Sequence, residues 1–327
     1  MEALLRRGER KLRCLVRQRS GAGRLEDAFG RHGAVGQAEI VQGDLLSMGD
    51  CRKIAAGAST VVHLAAGMDK SFAGAYMNSA LATRNLIEAF LEFGELGGRF
   101  VLVSSFAVYS PLGEKRGEVL DEACPLEDRP MERNDAYGFG KLQQEEMVKE
   151  YGRTRGLKYV LLRPGAVFGP GKPALTGRVA IGTFGFPIHL GGTNRIPFTY
   201  VENCAEAIAL AAVTPGIDGA IMNVVDDDVP TSREFFREYK RATGKRFSLS
   251  VPYPVTAAGC RLWEWYSRKS GGQLPPVFNR RRCAAEWGGH RYSNQCLKDT
   301  LGWKPTVPMR EAMDRYFAAL AEKRATM

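Results

Sequence analysis

No stretch of this chain stays apolar for the length that a bilayer-spanning helix needs; its longest apolar runs are strand-sized or broken by charge. An integral membrane segment is therefore not expected. The first residues, MEALLRRGERKLR, have no apolar run followed by a small-residue cleavage site, so they do not read as a secretory signal. Cysteine occurs seven times, an odd number, and Cys14, Cys51, Cys124, Cys204, Cys260, Cys283 and Cys296 contain no CxxC spacing. That spacing encodes neither a disulfide framework nor a zinc site, and no metal is expected. A cytoplasmic, reducing setting fits best. Internal repeats and low-complexity linkers are missing as well. So is any helix-turn-helix, zinc-finger or aromatic-basic RNA-binding signature, and the formal charge of +10 therefore does not point to nucleic acid. Arg and Lys are scattered, with one dense block at 280–282, and the expected result is a solvated basic surface able to steer phosphate-bearing ligands.

What remains is a chain of 327 residues with an ordinary globular balance, 44% apolar and 25% charged, long enough to bury a sizeable core. Residues 2–8 read as the end of a helix closed by Gly8. Strands are expected at 11–16 and 38–42, and the apolar run TVVHLAA at 60–66 reads as a strand buried on both faces. Helical spacing follows at 75–92, then a strand at 99–105, a helix at 136–154 and a strand at 158–164 that Pro164 stops. This alternation predicts an α/β fold, a doubly wound parallel sheet with helices on both faces. Beyond about 170 Gly and Pro become frequent and elements shorten, with helices at 203–213 and 231–243, a strand at 221–225 and a closing amphipathic helix after LGWKP. Trp263, Trp265 and Tyr266 read as a core stripe on a helix, with the wall of an apolar pocket as the alternative.

Chemistry concentrates at Tyr137-Gly-Phe-Gly-Lys141. A spacing of four on a helix places Tyr137 and Lys141 on one face. A phenol titrates near pH 10, so it serves as an acid or base at neutrality only beside a cation, which Lys141 is placed to supply. Upstream, the buried strand at 99–105 ends in Ser104 and Ser105. Ligands sit at the carboxyl ends of parallel strands, so Ser105 can hydrogen-bond an oxygen whose proton Tyr137 moves. Ser104 reads as a strand-end cap or turn residue.

Taken together these segments resemble the extended short-chain dehydrogenase/reductases, a group that includes nucleotide-sugar epimerases and dehydratases and 3β-hydroxysteroid dehydrogenases. The resemblance rests on Ser105 and Tyr109, on YGFGK and on the run from Arg163-Pro164 to Gly171. It continues, in order, through Gly43-Asp44-Leu45, His63-Leu64-Ala65-Ala66, Tyr76 to Asn78, Asn85-Leu86, Phe198 to Asn203 and LGWKP, and so covers almost the whole chain. It implies a Rossmann-type fold, with residues 1–169 as dinucleotide-binding core, residues 170–327 as mainly substrate-binding, and later segments returning to the core. It implies that Tyr137 is the general acid/base, that Lys141 binds the nicotinamide ribose and lowers the tyrosine pKa, and that Ser105 orients the substrate oxygen, with Phe106 beside it. Asp44 and Leu45 would meet the adenine, Leu64, Ala65 and Ala66 would line the cofactor, and Pro164 would lie near the nicotinamide. Asn194, four residues before Phe198, resembles the steroid-dehydrogenase branch and implies a substrate contact; Arg195 would instead pair with a nucleotide diphosphate in the sugar-enzyme branch. His63 reads as a packed or hydrogen-bonded histidine rather than a catalyst.

One family element is missing from the sequence. The family opens with a strand and a Gly-rich turn whose glycines let the backbone approach the cofactor diphosphate. Here no GxxGxxG lies near Met1, and the chain reads from partway through the helix that should follow. The expectation is that a strand and turn precede it, and that residues 1–327 alone fold and bind cofactor poorly. The second family strand ends Leu15-Val16-Arg17, with Arg19 close by and no acid, which favours NADP over NAD. The expected activity is hydride transfer at a hydroxyl or ketone carbon of a small lipid-like or polycyclic molecule, by an enzyme that could be a homodimer. A nucleotide-sugar epimerase or dehydratase is the alternative, and a cofactor-less binding protein the third.

Overall fold

The computed structural model describes all residues except 19–21, 173–175, 184–185, 191, 245–247, 272 and 326–327. The first helix, α1 (Glu2–Arg6), is followed by β1 (Arg13–Val16), α2 (Ala22–Arg31), β2 (Glu39–Gln42), α3 (Met48–Ala55) and β3 (Thr60–His63). A long helical run then comprises α4 (Phe72–Ala75), a π-helical turn at Tyr76–Leu81 and α5 (Ala82–Phe93), and leads into β4 (Arg99–Val103). After β5 (Val119–Leu120) and α6 (Pro130–Arg133) comes α7 (Ala136–Arg155), then β6 (Lys158–Pro164) and β7 (Ala166–Phe168). The remainder comprises β8 (Ala180–Thr183), β9 (Phe186–Leu190), β10 (Phe198–Tyr200), α8 (Val201–Val213), β11 (Ile221–Val224), α9 (Ser232–Thr243) and β12 (Leu249–Val251). Last come α10 (Tyr253–Lys269), α11 (Arg280–Trp287), β13 (Arg291–Tyr292), α12 (Gln295–Leu301) and α13 (Met309–Ala325).

Four parallel strands in the order β11-β6-β4-β3 form the main sheet. Its period-2 sequences place alternate side chains on opposite faces. Phe100, Leu102 and Leu161 point to the layer of α3, α5 and α7, where Cys51, Ala55, Ile87, Phe90 and Val148 receive them. Val101, Val160 and Leu162 point the other way, onto Cys204, Ala207 and Ala211 of α8 and Leu297 and Leu301 of α12. The fold is thus a doubly wound α/β sandwich, as the alternation of elements predicted. β1 and β2 form a separate parallel pair, with no ladder joining β1 to β3.

Strands differ from the sequence reading at their ends, and one helix differs in its facing. The strand expected at 60–66 ends at His63, and Leu64 and Ala65 are exposed at its mouth. Trp265 and Tyr266 do not belong to a core stripe: both are exposed on α10, and only Trp263 turns partly inward. The closing motifs explain each other. Asn203 at the start of α8 donates to Asp226 and the Val307 carbonyl, and accepts from the Val307 amide and the Thr306 hydroxyl. The Trp303 indole donates to the Asn203 carbonyl. Phe198 to Asn203 and LGWKP are therefore two halves of one buried joint. The basic block is likewise internal business, since Arg280 pairs with Glu264, Arg281 with Glu127 and Asp128, and Arg282 with Glu286.

Candidate active site

Parallel strands end on the same side of a sheet, and here that side gathers the chemistry. Arg17 follows β1, Asp44 follows β2, Leu64 to Ala66 follow β3, Ser104 and Ser105 follow β4, and Pro164 ends β6.

Tyr137 stands in the first turn of α7, whose N-cap Asp135 accepts from the Gly138 amide. The two glycines of YGFGK set the approach of this helix. A Cβ on Gly138 would come within 3.1 Å of the Ala107 carbonyl, and one on Gly140 within 2.8 Å of the Ser79 hydroxyl. Small residues here let α7 press its Tyr137 face onto the end of β4 and the π-helical turn. Burial raises the pKa of the Tyr137 phenol above the ordinary 10, outweighing the nearby Ser105 hydroxyl, which lowers it. The lowering expected from Lys141 is thus not the balance seen. The Lys141 ammonium lies 6.0 Å from the centre of the Tyr137 ring and donates to the Val103 carbonyl at 2.7 Å. Its own pKa is pulled down to about 8, burial outweighing the charge of Glu145, which raises it. Ser105 also caps the turn at Phe106–Val108 by accepting from the Ala107 amide at 3.2 Å. Ser104 is no cap: it is buried and donates to Glu145 at 2.6 Å.

At the other end of the crevice, an Arg17 nitrogen lies 3.2 Å from both Asp44 Oδ1 and Asn78 Oδ1. Asp44 also accepts from the Leu46 amide, and this bond, ahead of Arg17, holds its carboxyl below the usual range. Arg19 lies outside the described residues. The Leu45 side chain is core, while its carbonyl receives Asn85 at 3.0 Å. Between the two ends, Leu64 and Ala65 face solvent and Ala66 is half-buried. Pro164 is buried, and the next residue has to be glycine, because a Cβ on Gly165 would lie 2.0 Å from the Pro197 carbonyl.

Several residues to which the sequence reading gave no site role hold this assembly. Arg163 and Glu145 form a buried, two-pronged ion pair, at 2.9 and 2.7 Å, directly under the Ser104 end of β4. Arg163 also donates to the Tyr109 hydroxyl at 3.0 Å, and Tyr109 donates to Asn223 at 2.7 Å. Gln144 donates to the Ala65 carbonyl and the Thr83 hydroxyl, tying the segment after β3 to α7. The only advance signal for Gln144 and Glu145 was their place three and four residues beyond Lys141, one helical turn on. His63 is packed as expected, bonded to Thr83 at 2.8 Å, with its pKa lowered to about 3 chiefly by burial. Phe106 is spent on packing, edge-on to Tyr109 and tilted against Tyr292. Asn194 is buried with its Oδ1 unpartnered, and Arg195 donates to the Val229 carbonyl at 2.7 Å. A cavity of about 690 Å³ lies elsewhere, between residues 126–132 and the flank of α7 carrying Phe139, Leu142 and Glu146, and neither Ser105 nor Tyr137 lines it.

The donor set fits a nicotinamide dinucleotide at both ends: a cation beside an acid and an amide at the ends of β1 and β2, and a lysine beneath a phenol at the end of β4. Among the described residues no glycine-rich turn lies between those ends to cradle a diphosphate. Comparison with known proteins places the chain in a family. Residues 1–224 match the model of the NAD dependent epimerase/dehydratase family. The chain is 28% identical over 309 residues to 3beta-hydroxysteroid-dehydrogenase/decarboxylase isoform 1 of Arabidopsis thaliana, covering 89% of this chain and 68% of that one. It is 26% identical over 300 residues to the decarboxylating sterol-4-alpha-carboxylate 3-dehydrogenase of Bos taurus, covering 87% and 82%. Its fold superposes on the UDP-glucuronic acid 4-epimerase of Bacillus cereus, solved in complex with NAD, with a TM-score of 0.71 and 18% identity over 100% of this chain and 93% of that one. The chain belongs to the NAD dependent epimerase/dehydratase family, as an oxidoreductase or epimerase of the extended short-chain dehydrogenase/reductase type.

Proposed function

We propose that the chain is an NAD(P)-dependent dehydrogenase or reductase acting at a hydroxyl or ketone carbon of a lipid-like, alicyclic substrate, with Tyr137 as general acid/base. The observation that carries this reading is the grouping at the carboxyl end of β4 of the Ser105 hydroxyl, which acts on the buried Tyr137 phenol, and the Lys141 ammonium 6.0 Å from the centre of its ring. Ser105 donates to the substrate oxygen, and Tyr137 takes its proton on oxidation or delivers one on reduction. A nicotinamide held by Lys141 would supply hydride transfer at the same carbon. Burial raises the phenol's pKa further above neutrality, so Tyr137 carries the proton that reduction of a ketone consumes. Lys141 holds the ribose, and Arg17, exposed at the end of β1, receives a 2′-phosphate, so NADP is preferred. Its contact with Asp44 is solvent-exposed and weak enough to yield to a phosphate. Asn194, with an unpartnered buried oxygen, meets a donor on the substrate. The names of the plant and bovine relatives support a sterol-like substrate. Residues 1–169 serve as the cofactor core and 170–327 mainly as the substrate region. Seven free thiols support a cytoplasmic setting, and exposed Met131 beside the cavity on α7 supports a homodimer.

The test is turnover of the purified protein with NADP and NAD against hydroxysteroids, ketosteroids and nucleotide sugars. Oxidation or reduction of the steroids is expected, with a Tyr137→Phe variant slower by about a hundredfold or more and unaltered in cofactor affinity. Turnover confined to nucleotide sugars, or a Phe variant of near-normal rate, would overturn the reading.

A further inference from the structure

Helix α10 is apolar on the side where a surface helix should be polar. Its inner face is settled: Thr256, Cys260 and Ser267 are buried, and Tyr253 and Ala257 pack with Leu190, Cys283 and Trp287. Trp263 sits edge-on to Phe278 and donates to the Pro275 carbonyl, while Glu264 pairs with Arg268 and Arg280. At 100° per residue the opposite face is Val255, Ala258, Gly259, Leu262, Trp265, Tyr266 and Lys269. Val255 is 58% exposed, Leu262 65%, and Trp265 and Tyr266 54% each. Scattered surface apolars need no explanation, but four large ones in one stripe do.

The charges around the stripe select its occupant. Lys269 lies over the Trp265 ring at 5.1 Å, and Arg261 and Arg268 flank one edge. The helix's one acid, Glu264, is on the inner face, so the outer face carries cations alone. A second copy would bring like charge against like charge, on a chain already at +10. An anionic lipid surface complements it instead. Trp and Tyr settle at the headgroup level, and Lys and Arg extend from an apolar stem to lipid phosphates. With 17 residues and one face committed to the protein, α10 can lie on a bilayer but cannot cross it, and among the described residues no helix is long and apolar enough to cross one.

We propose that α10 is a peripheral membrane-docking helix that lies flat on anionic phospholipid, seating Val255, Leu262, Trp265 and Tyr266 at the boundary between headgroups and acyl chains. This assignment is independent of the substrate proposed above.

The full chain is sedimented with vesicles of phosphatidylcholine, and with vesicles in which part of it is replaced by phosphatidylglycerol. Binding to the anionic vesicles is expected, falling as salt rises. Trp265 alone of the four tryptophans is exposed, so brominated acyl chains should quench its emission and a Trp265→Phe variant should lose that quenching. A Leu262→Ser/Trp265→Ser variant should bind at least about tenfold more weakly, with an unchanged melting temperature because both side chains already face solvent. No binding to anionic vesicles, equal binding by the double variant, or a concentration-dependent dimer that Leu262→Ser abolishes would each overturn the proposal, the last by giving the stripe to a second copy.

Discussion

Removing one partner of the Arg163–Glu145 pair tests how the site is held. Arg163 is 2% exposed and Glu145 1%. An Arg163→Met change keeps an apolar stem of similar length and deletes both prongs at once. It leaves a carboxylate in the interior with the Ser104 hydroxyl, half-exposed Lys149 and the more distant charge of Lys141 to answer it. Breaking a buried pair in this way costs about 3–5 kcal/mol, because the surviving charge is uncompensated. With an unfolding entropy of about 2.1 cal/mol/K per residue, 327 residues give about 0.7 kcal/mol/K, so Tm should fall by about 4–7 °C. A Glu145→Gln/Arg163→Met variant carries no buried charge and should recover most of that loss.

The pH dependence follows from Glu145. In the intact protein burial raises its pKa, but the Arg163 bonds and charge, then Ser104 and Lys149, outweigh burial and hold it below the 4.5 of a free glutamate. Its stabilising share is therefore present above pH 4.5 and lost as pH falls through the folded value. Without Arg163, burial is the larger influence and the carboxyl rises instead. At low pH it takes a proton and the penalty shrinks, so the Tm gap between wild type and Arg163→Met should be widest in alkaline buffer and should narrow with acidification. Thermal melts of wild type, Arg163→Met, Glu145→Gln and the double variant across a pH series measure this. A single variant within about 1 kcal/mol of wild type, or a gap that does not change with pH, refutes the reasoning.

Arg17→Ala should weaken NADP binding by about 1.5–3 kcal/mol and spare NAD, as titration of both cofactors would show; equal losses, or a wild-type preference for NAD, would remove Arg17 from phosphate recognition. His63 contributes a second acid sensitivity. Its folded pKa is about 3 against 6.5 unfolded, so the unfolded chain binds a proton that the folded one refuses, and stability should decline as pH falls below 6.5. A His63→Gln variant should show a shallower decline in melts over that range, and an identical slope would mean that the burial of His63 does not govern it.

The parts of the fold legible in the sequence are those that depend on local periodicity. The continuous apolar runs of β4 and β6 feed the two helical layers by turns, as Val101 against Phe100 and Leu102 shows. The YGFGK run was legible for the same reason, since a spacing of four on a helix fixes a shared face whatever packs against it. Boundaries were less so. TVVHLAA is continuous in hydropathy, but pairing with β4 stops at His63–Leu102, and nothing in the run itself marks where the neighbouring strand turns away.

What periodicity cannot supply is the identity of a partner. Glu145 and Arg163 lie on different elements, and neither element's own pattern pairs them; only the crossing of α7 over β6 makes them one buried group. Phe106 stood beside a catalytic serine in sequence, yet the ring turns into the aromatic core. Helix α10 shows the limit most sharply. Apolar residues occupy both of its faces, so a helical pattern with Trp263 and Trp265 in it could be satisfied with either face inward. Cys260, Trp263 and Ser267 went to the protein because Phe278, Trp287 and the Leu274 and Pro275 carbonyls were there to receive them. Leu262, Trp265 and Tyr266 were left outward by that same choice. A stripe of this kind is invisible as a surface until the competing face has been spent, which is why the sequence alone assigned it to the core.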